Sequence, residues 1–130
     1  MTIELRMLAW SVLLGIVQVL LASALMTRQR GMKWNASARD GTPAPLTGVA
    51  ARMERVVRNF METFVFFAAL VLAVVLAGRQ DGRSALAVQL YFWARLVYVP
   101  LYAAGIPYLR SLVWGVSMVG IVMLLWSLLG

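Results

Sequence analysis

Two sets of polar side chains recur at helical spacing: Arg55, Asn59 and Glu62 at i, i+4 and i+7, and Arg95, Tyr98 and Tyr102 at i, i+3 and i+7. Either spacing gathers its three groups on one face of an α-helix. Arg110, followed by Ser111, and Arg28 add two more guanidiniums. Arginine presents a planar fork that takes a carboxylate bidentately. Glu62 suits an ammonium, while the Asn59 amide and the two phenols fix orientation through hydrogen bonds. Together these groups suit a small anion that bears carboxylates and an amine.

None of them is an evident nucleophile. The chain has no histidine and no cysteine, which removes a Cys/His zinc site, a cysteine nucleophile, a Ser-His-Asp triad, a His-ligated haem and any disulfide. No metal is expected. Thiol chemistry would use a thiol brought by the substrate. A free thiol, with a pKa of about 8.5, is only a few per cent thiolate at pH 7. Lowering that pKa by two units takes about 2.7 kcal/mol, which one well-placed buried guanidinium can supply.

The elements that must position these groups are membrane helices. Of 130 residues, 62% are hydrophobic and only 13% charged, against roughly a quarter charged in an ordinary soluble domain. A span takes about 20 apolar residues, so four spans leave too little chain for a separate soluble domain. The expected architecture is an all-α integral membrane fold, a four-transmembrane-helix up-down bundle forming a single domain over residues 1–130. Its helices are expected at about 5–26, 49–78, 84–104 and 108–130, with a long loop at 27–48 rich in Gly, Pro, Asn and Asp. The first segment contains Ala22-Ser23-Ala24, a small-residue stretch like a cleavage site. Its apolar run is longer than a signal peptide's, so it reads as a retained span.

Twelve basic and five acidic residues give a net charge of +7. In a membrane protein this reflects loop bias or an anionic ligand, and no nucleic acid is expected. Arg28, Arg30, Lys33, Arg39, Arg52 and Arg110 fall at the long-loop face, and Arg6, Arg79 and Arg83 at the other. The positive-inside rule then sets the long loop in the cytoplasm and both termini outside. Counted from the turn near residue 81, Asn59, Glu62, Tyr98 and Tyr102 lie at similar depth. Arg110 and Arg28 reach the same level, so all four helices contribute to one polar slab. The opposite half of the bundle reads as almost wholly apolar. A plainer reading stands beside this one. Glu54 and Arg58, or Arg58 and Glu62, can pair along their helix, Arg95 can be a buried structural charge, and the loop arginines can be topology signals.

Arg55-Val-Val-Arg58-Asn59-Phe-Met-Glu62 resembles the second-helix signature of the MAPEG superfamily, the membrane-associated proteins in eicosanoid and glutathione metabolism. Arg95-Leu-Val-Tyr98-Val-Pro-Leu-Tyr102 is similar to its third helix, and Arg110-Ser111 to the start of its fourth. Asn35-Ala-Ser-Ala-Arg39-Asp40 and the stretch from Tyr102 to Arg110 look most like a bacterial branch. The resemblance implies a homotrimer in a bacterial inner membrane, with glutathione as co-substrate in clefts between subunits. It also implies that Arg55, Arg58, Asn59, Glu62, Arg95, Tyr98 and Tyr102 bind glutathione. Arg110, with Ser111 and Arg28, would stabilise or assist the thiolate. The expected activity is that of a glutathione transferase or peroxidase, with a lipophilic small-molecule substrate arriving through the lipid bilayer. Two other classes compete. A non-catalytic binding or scaffold protein would keep the arginines for lipid headgroups. A small proton-coupled exporter would need an embedded carboxylate in its first span, where nothing acidic follows Glu4.

Overall fold

The computed structural model describes residues 1–130 as five helices and no strand: α1 (Ile3–Arg30), α2 (Met32–Ala36), α3 (Gly48–Leu76), α4 (Gly82–Ala103) and α5 (Pro107–Leu129). The four long helices are each long and apolar enough to cross a membrane. The expected bundle is thus the observed one, with two differences in its boundaries. α1 does not end at Met26 but runs on to Arg30, because Thr27-Arg28-Gln29-Arg30 is polar without being helix-breaking. Polarity ends the span, whereas Gly31, at φ 92°, ends the helix. Part of the long loop is also ordered as the short helix α2.

Local chemistry sets the other ends. Thr2 accepts from Leu5 N at 3.3 Å to start α1. Asp81 and Ser84 form a reciprocal capping box at the start of α4, with bonds of 2.8 and 2.9 Å. Pro107 opens α5, where its missing N–H costs nothing. Gly105, at φ 76°, makes the tight turn before it.

α3 and α4 form the centre, each touching α1, α5 and the other, whereas α1 and α5 do not touch each other. The main core joins Phe60, Phe67, Val71 and Val74 of α3 to Ala87, Val88, Tyr91 and Phe92 of α4 and Ile121 and Leu124 of α5. Phe67 and Tyr91 stack at 4.0 Å. α4 and α5 approach so closely at Gly120 that a Cβ there would lie 2.7 Å from the Ala87 carbonyl oxygen.

The end of the bundle near Asp81, expected to be almost wholly apolar, carries one small buried polar group. Glu4 is buried, only 3% exposed, and accepts a 2.7 Å hydrogen bond from Ser84 Oγ. Ser127 of α5 donates to Asp81 Oδ1 at 3.2 Å. Glu4, Met7, Ser11, Leu14 and Gln18 recur every three or four residues and form the inward seam of α1. Glu4 is therefore part of a polar knot tying α1, α4 and α5 together.

Candidate functional site

At the opposite end, α3, α4 and α5 bring the predicted side chains into one connected group. Arg55 Nε donates to Tyr102 Oη at 2.9 Å. The Arg110 guanidinium lies 4.5 Å from the centre of the Tyr102 ring. Tyr102 meets Tyr98 edge-on at 5.6 Å, and Arg95 lies 4.4 Å over the Tyr98 ring. Arg95 Nη1 then donates to Asn59 Oδ1 at 2.9 Å, closing the circuit on α3. Two phenol rings are sandwiched among three guanidiniums.

The helix phase explains this convergence. Arg55 and Asn59 are one turn apart on α3, as are Tyr98 and Tyr102 on α4, and the two helices are antiparallel neighbours. The tight turn at Gly105 then brings Arg110 back beside Tyr102. Arg52 holds this corner: its Nε donates to the Ala103 carbonyl at 2.9 Å and its side chain lies against Gly105. Charge counting by face assigns Arg52 to topology alone and misses this role. Its position three residues before Arg55 is the signal that it shares the same face.

Exposure grades the group from surface to interior. Arg55 is exposed and Asn59, Tyr102 and Arg110 are half-buried, whereas Tyr98 is 2% and Arg95 1% exposed. Arg95 and Tyr98 therefore underlie the site, and reach anything bound in it through Asn59 and Tyr102. No carboxylate enters the group. The chain's single ion pair joins Arg58 to Glu54 at 3.0 Å, so Arg58 pairs backward along α3 and not with Glu62. Glu62, Arg28 and Ser111 are exposed and no hydrogen bond or ion pair ties them to the group within one chain.

The long connection is held by hydrogen bonds from α1. Gln29 exchanges two bonds with the Thr47 backbone, at 2.9 and 3.1 Å, and Arg30 Nε donates to the Ala44 carbonyl at 2.9 Å. Arg39 bonds Asn35 through its backbone carbonyl and its side chain. Beside the site, α1 and α3 enclose an apolar groove of about 290 Å³ lined by Val12, Gly15, Ile16, Phe60, Met61 and Phe64, among others. Phe60 forms part of its wall and also lies 5.6 Å from the Arg95 guanidinium. The groove and the polar group are thus separated by a single ring. No cluster of His, Cys, Asp or Glu side chains is arranged to hold a metal ion.

The family model described as "MAPEG family" matches residues 7–130, a range that includes every residue of this group. No curated protein matches the chain.

Proposed function

The chain belongs to the MAPEG family, and on that premise we propose that it is a membrane-bound glutathione-dependent transferase or peroxidase. The family includes glutathione transferases and peroxidases as well as non-catalytic members. The observation that carries the catalytic reading is the group of three guanidiniums, Arg55, Arg95 and Arg110, arranged around two tyrosines with no carboxylate among them. Such a group favours an anion, and its half-buried setting makes each charge worth more than it would be in water.

In this reading Arg55 and the Asn59 amide hold glutathione carboxylates and carbonyls, and Glu62 takes its ammonium. Arg110, stacked on Tyr102, faces the sulfur and favours its thiolate, with the exposed Ser111 hydroxyl as a second donor. The thiolate sulfur forms a bond to an electrophilic carbon while the leaving group departs with its electron pair. Toward a hydroperoxide it attacks the terminal oxygen, and the O–O bond breaks to release the alcohol and leave a sulfenic acid on the glutathione sulfur. A second glutathione thiol attacks that sulfur, displacing water to form the disulfide. The lipophilic partner approaches from the bilayer along the apolar groove beside Phe60.

A homotrimer completes the site. Glu62 is exposed and unpaired at the edge of the apolar run of α3, a helix long and apolar enough to cross a membrane, and a charged group there favours a protein interior or a polar cavity. A second copy against that face would bring its own Arg28 to the cleft. The excess of Lys and Arg on the long connection favours a cytoplasmic opening in an inner membrane, where glutathione is available.

The test is the ultraviolet thiolate band of glutathione added to the purified protein near neutral pH. A band that saturates at a fixed fraction of subunits supports binding and activation together. No band, with no competition from an S-alkylated glutathione, would mean that the fold is kept without this chemistry.

A further inference from the structure

Arg95 is the largest fully buried side chain in the molecule, and it has no counter-ion. Its Nη1 donates to Asn59 Oδ1 at 2.9 Å, while Nε and Nη2 have no hydrogen-bond partner. Two ring faces, Tyr98 at 4.4 Å and Phe60 at 5.6 Å, supply the remaining attraction. Every helix packed around it withholds a negative charge. α4 offers Tyr91 and Tyr98, α3 offers Asn59, and α5 offers another cation, Arg110, beyond the tyrosine pair. α1, whose Gly15 abuts Phe60, carries on its buried seam at this level only Gln18, a neutral group also without a partner. Glu62, a turn beyond Asn59, is exposed and makes no ion pair. A buried charge left in this state is costly to a fold.

A guanidinium has five donors and no acceptor. The Asn59 atom that faces it must be the carbonyl oxygen, which leaves Nδ2, unpaired within the chain, on the side away from Arg95. Asn59 thus meets a ligand as a donor. We infer that Arg95 is a positioning residue: it locks the Asn59 amide with Nδ2 outward, and its charge is balanced by the bound anion rather than by any group of the protein. This deepens the glutathione reading and rests on it for the identity of the anion.

The experiment uses the full chain in detergent at pH 7 with Asn59→Asp, Arg95→Gln and Arg95→Lys beside the unaltered protein. Asn59→Asp supplies the missing counter-charge. Its ligand-free melting temperature is expected to rise by several degrees while its affinity for reduced glutathione falls about tenfold or more. In Arg95→Gln the amide is free to turn over and the charge is gone. The midpoint of the thiolate band is expected to move up by about one pH unit, a tenfold loss of thiolate near neutrality, and Arg95→Lys restores most of it. A merely structural Arg95 would lower the amplitude of the band and leave its midpoint in place. That unmoved midpoint would overturn the inference and spare the glutathione reading. An Asn59→Asp protein melting at or below the original temperature would overturn it whether or not glutathione binds. If the unaltered protein gives no band, the glutathione reading fails, and a raised melting temperature in Asn59→Asp still upholds Arg95 as a cation awaiting an anion.

Discussion

Tyr102 is the residue on which the candidate site turns. It accepts from Arg55 on one side and carries Arg110 on its ring face, so it spaces two cations that would otherwise repel. Removing its hydroxyl by Tyr102→Phe keeps the ring and frees Arg55. A hydrogen bond to a charged group at an exposed position contributes about 1–1.5 kcal/mol, so glutathione affinity is expected to fall roughly five- to tenfold in a binding titration. Arg110→Ala removes the cation assigned to the sulfur. The thiolate band should disappear at neutral pH while glutathione still binds weakly by calorimetry, since Arg55 and Asn59 remain. Unchanged turnover in Arg110→Ala would take Arg110 out of the mechanism.

At the scale of the elements, the α4–α5 contact and the cap of α4 decide stability. A Cβ at Gly120 would meet the Ala87 carbonyl, a backbone atom that cannot rotate away, whereas nothing lies within 4 Å of a Cβ at Gly115. Gly120→Ala is therefore expected to cost about 1–3 kcal/mol through overpacking, and Gly115→Ala to melt like the unaltered protein in a thermal-shift assay. The cap is sensitive to acid. The Ser84 backbone N–H, first among several donors, holds the Asp81 carboxyl below its ordinary value of 3.8. A carboxyl depressed in the folded state contributes stability above its unfolded pKa and loses it as pH falls through the folded one. Melting temperature should be insensitive to the cap from neutrality down to about pH 4 and should drop below that. Asp81→Asn should remove that part of the drop.

For the whole molecule, the exposed charged face of α3 is where a partner subunit is expected. A single chain leaves Arg58 and Glu62 exposed on a helix long enough to exceed a bilayer, and three copies around an axis would enclose them. Native mass spectrometry from detergent is expected to give a trimer; a monomer that still activates glutathione would remove the intersubunit cleft. Topology can be mapped cleanly because the chain has no native cysteine. A Thr42→Cys variant should be labelled by an impermeant maleimide only from the cytoplasmic side, and Gln80→Cys only from the other. The reverse pattern would invert the site and expose it to the wrong thiol pool.

Much of this protein is legible in its amino-acid order alone, because a membrane imposes rules that a sequence displays directly. Apolar run length marks the spans, and helical period puts Arg55 with Asn59 and Tyr98 with Tyr102, since both are properties of a single helix. Depth counting carries this across the turns and brings Arg110 to Tyr102. Tertiary structure decided what depends on rotation about a helix axis and on neighbours in space. It sent Arg95 and Tyr98 inward beneath Asn59 and Tyr102, turned Arg58 toward Glu54, and buried Glu4 against Ser84. It also gave Arg52 a carbonyl to hold. Spacing along one helix says which residues share a face; only the packing of the others says whether that face meets the core, a ligand or open surface.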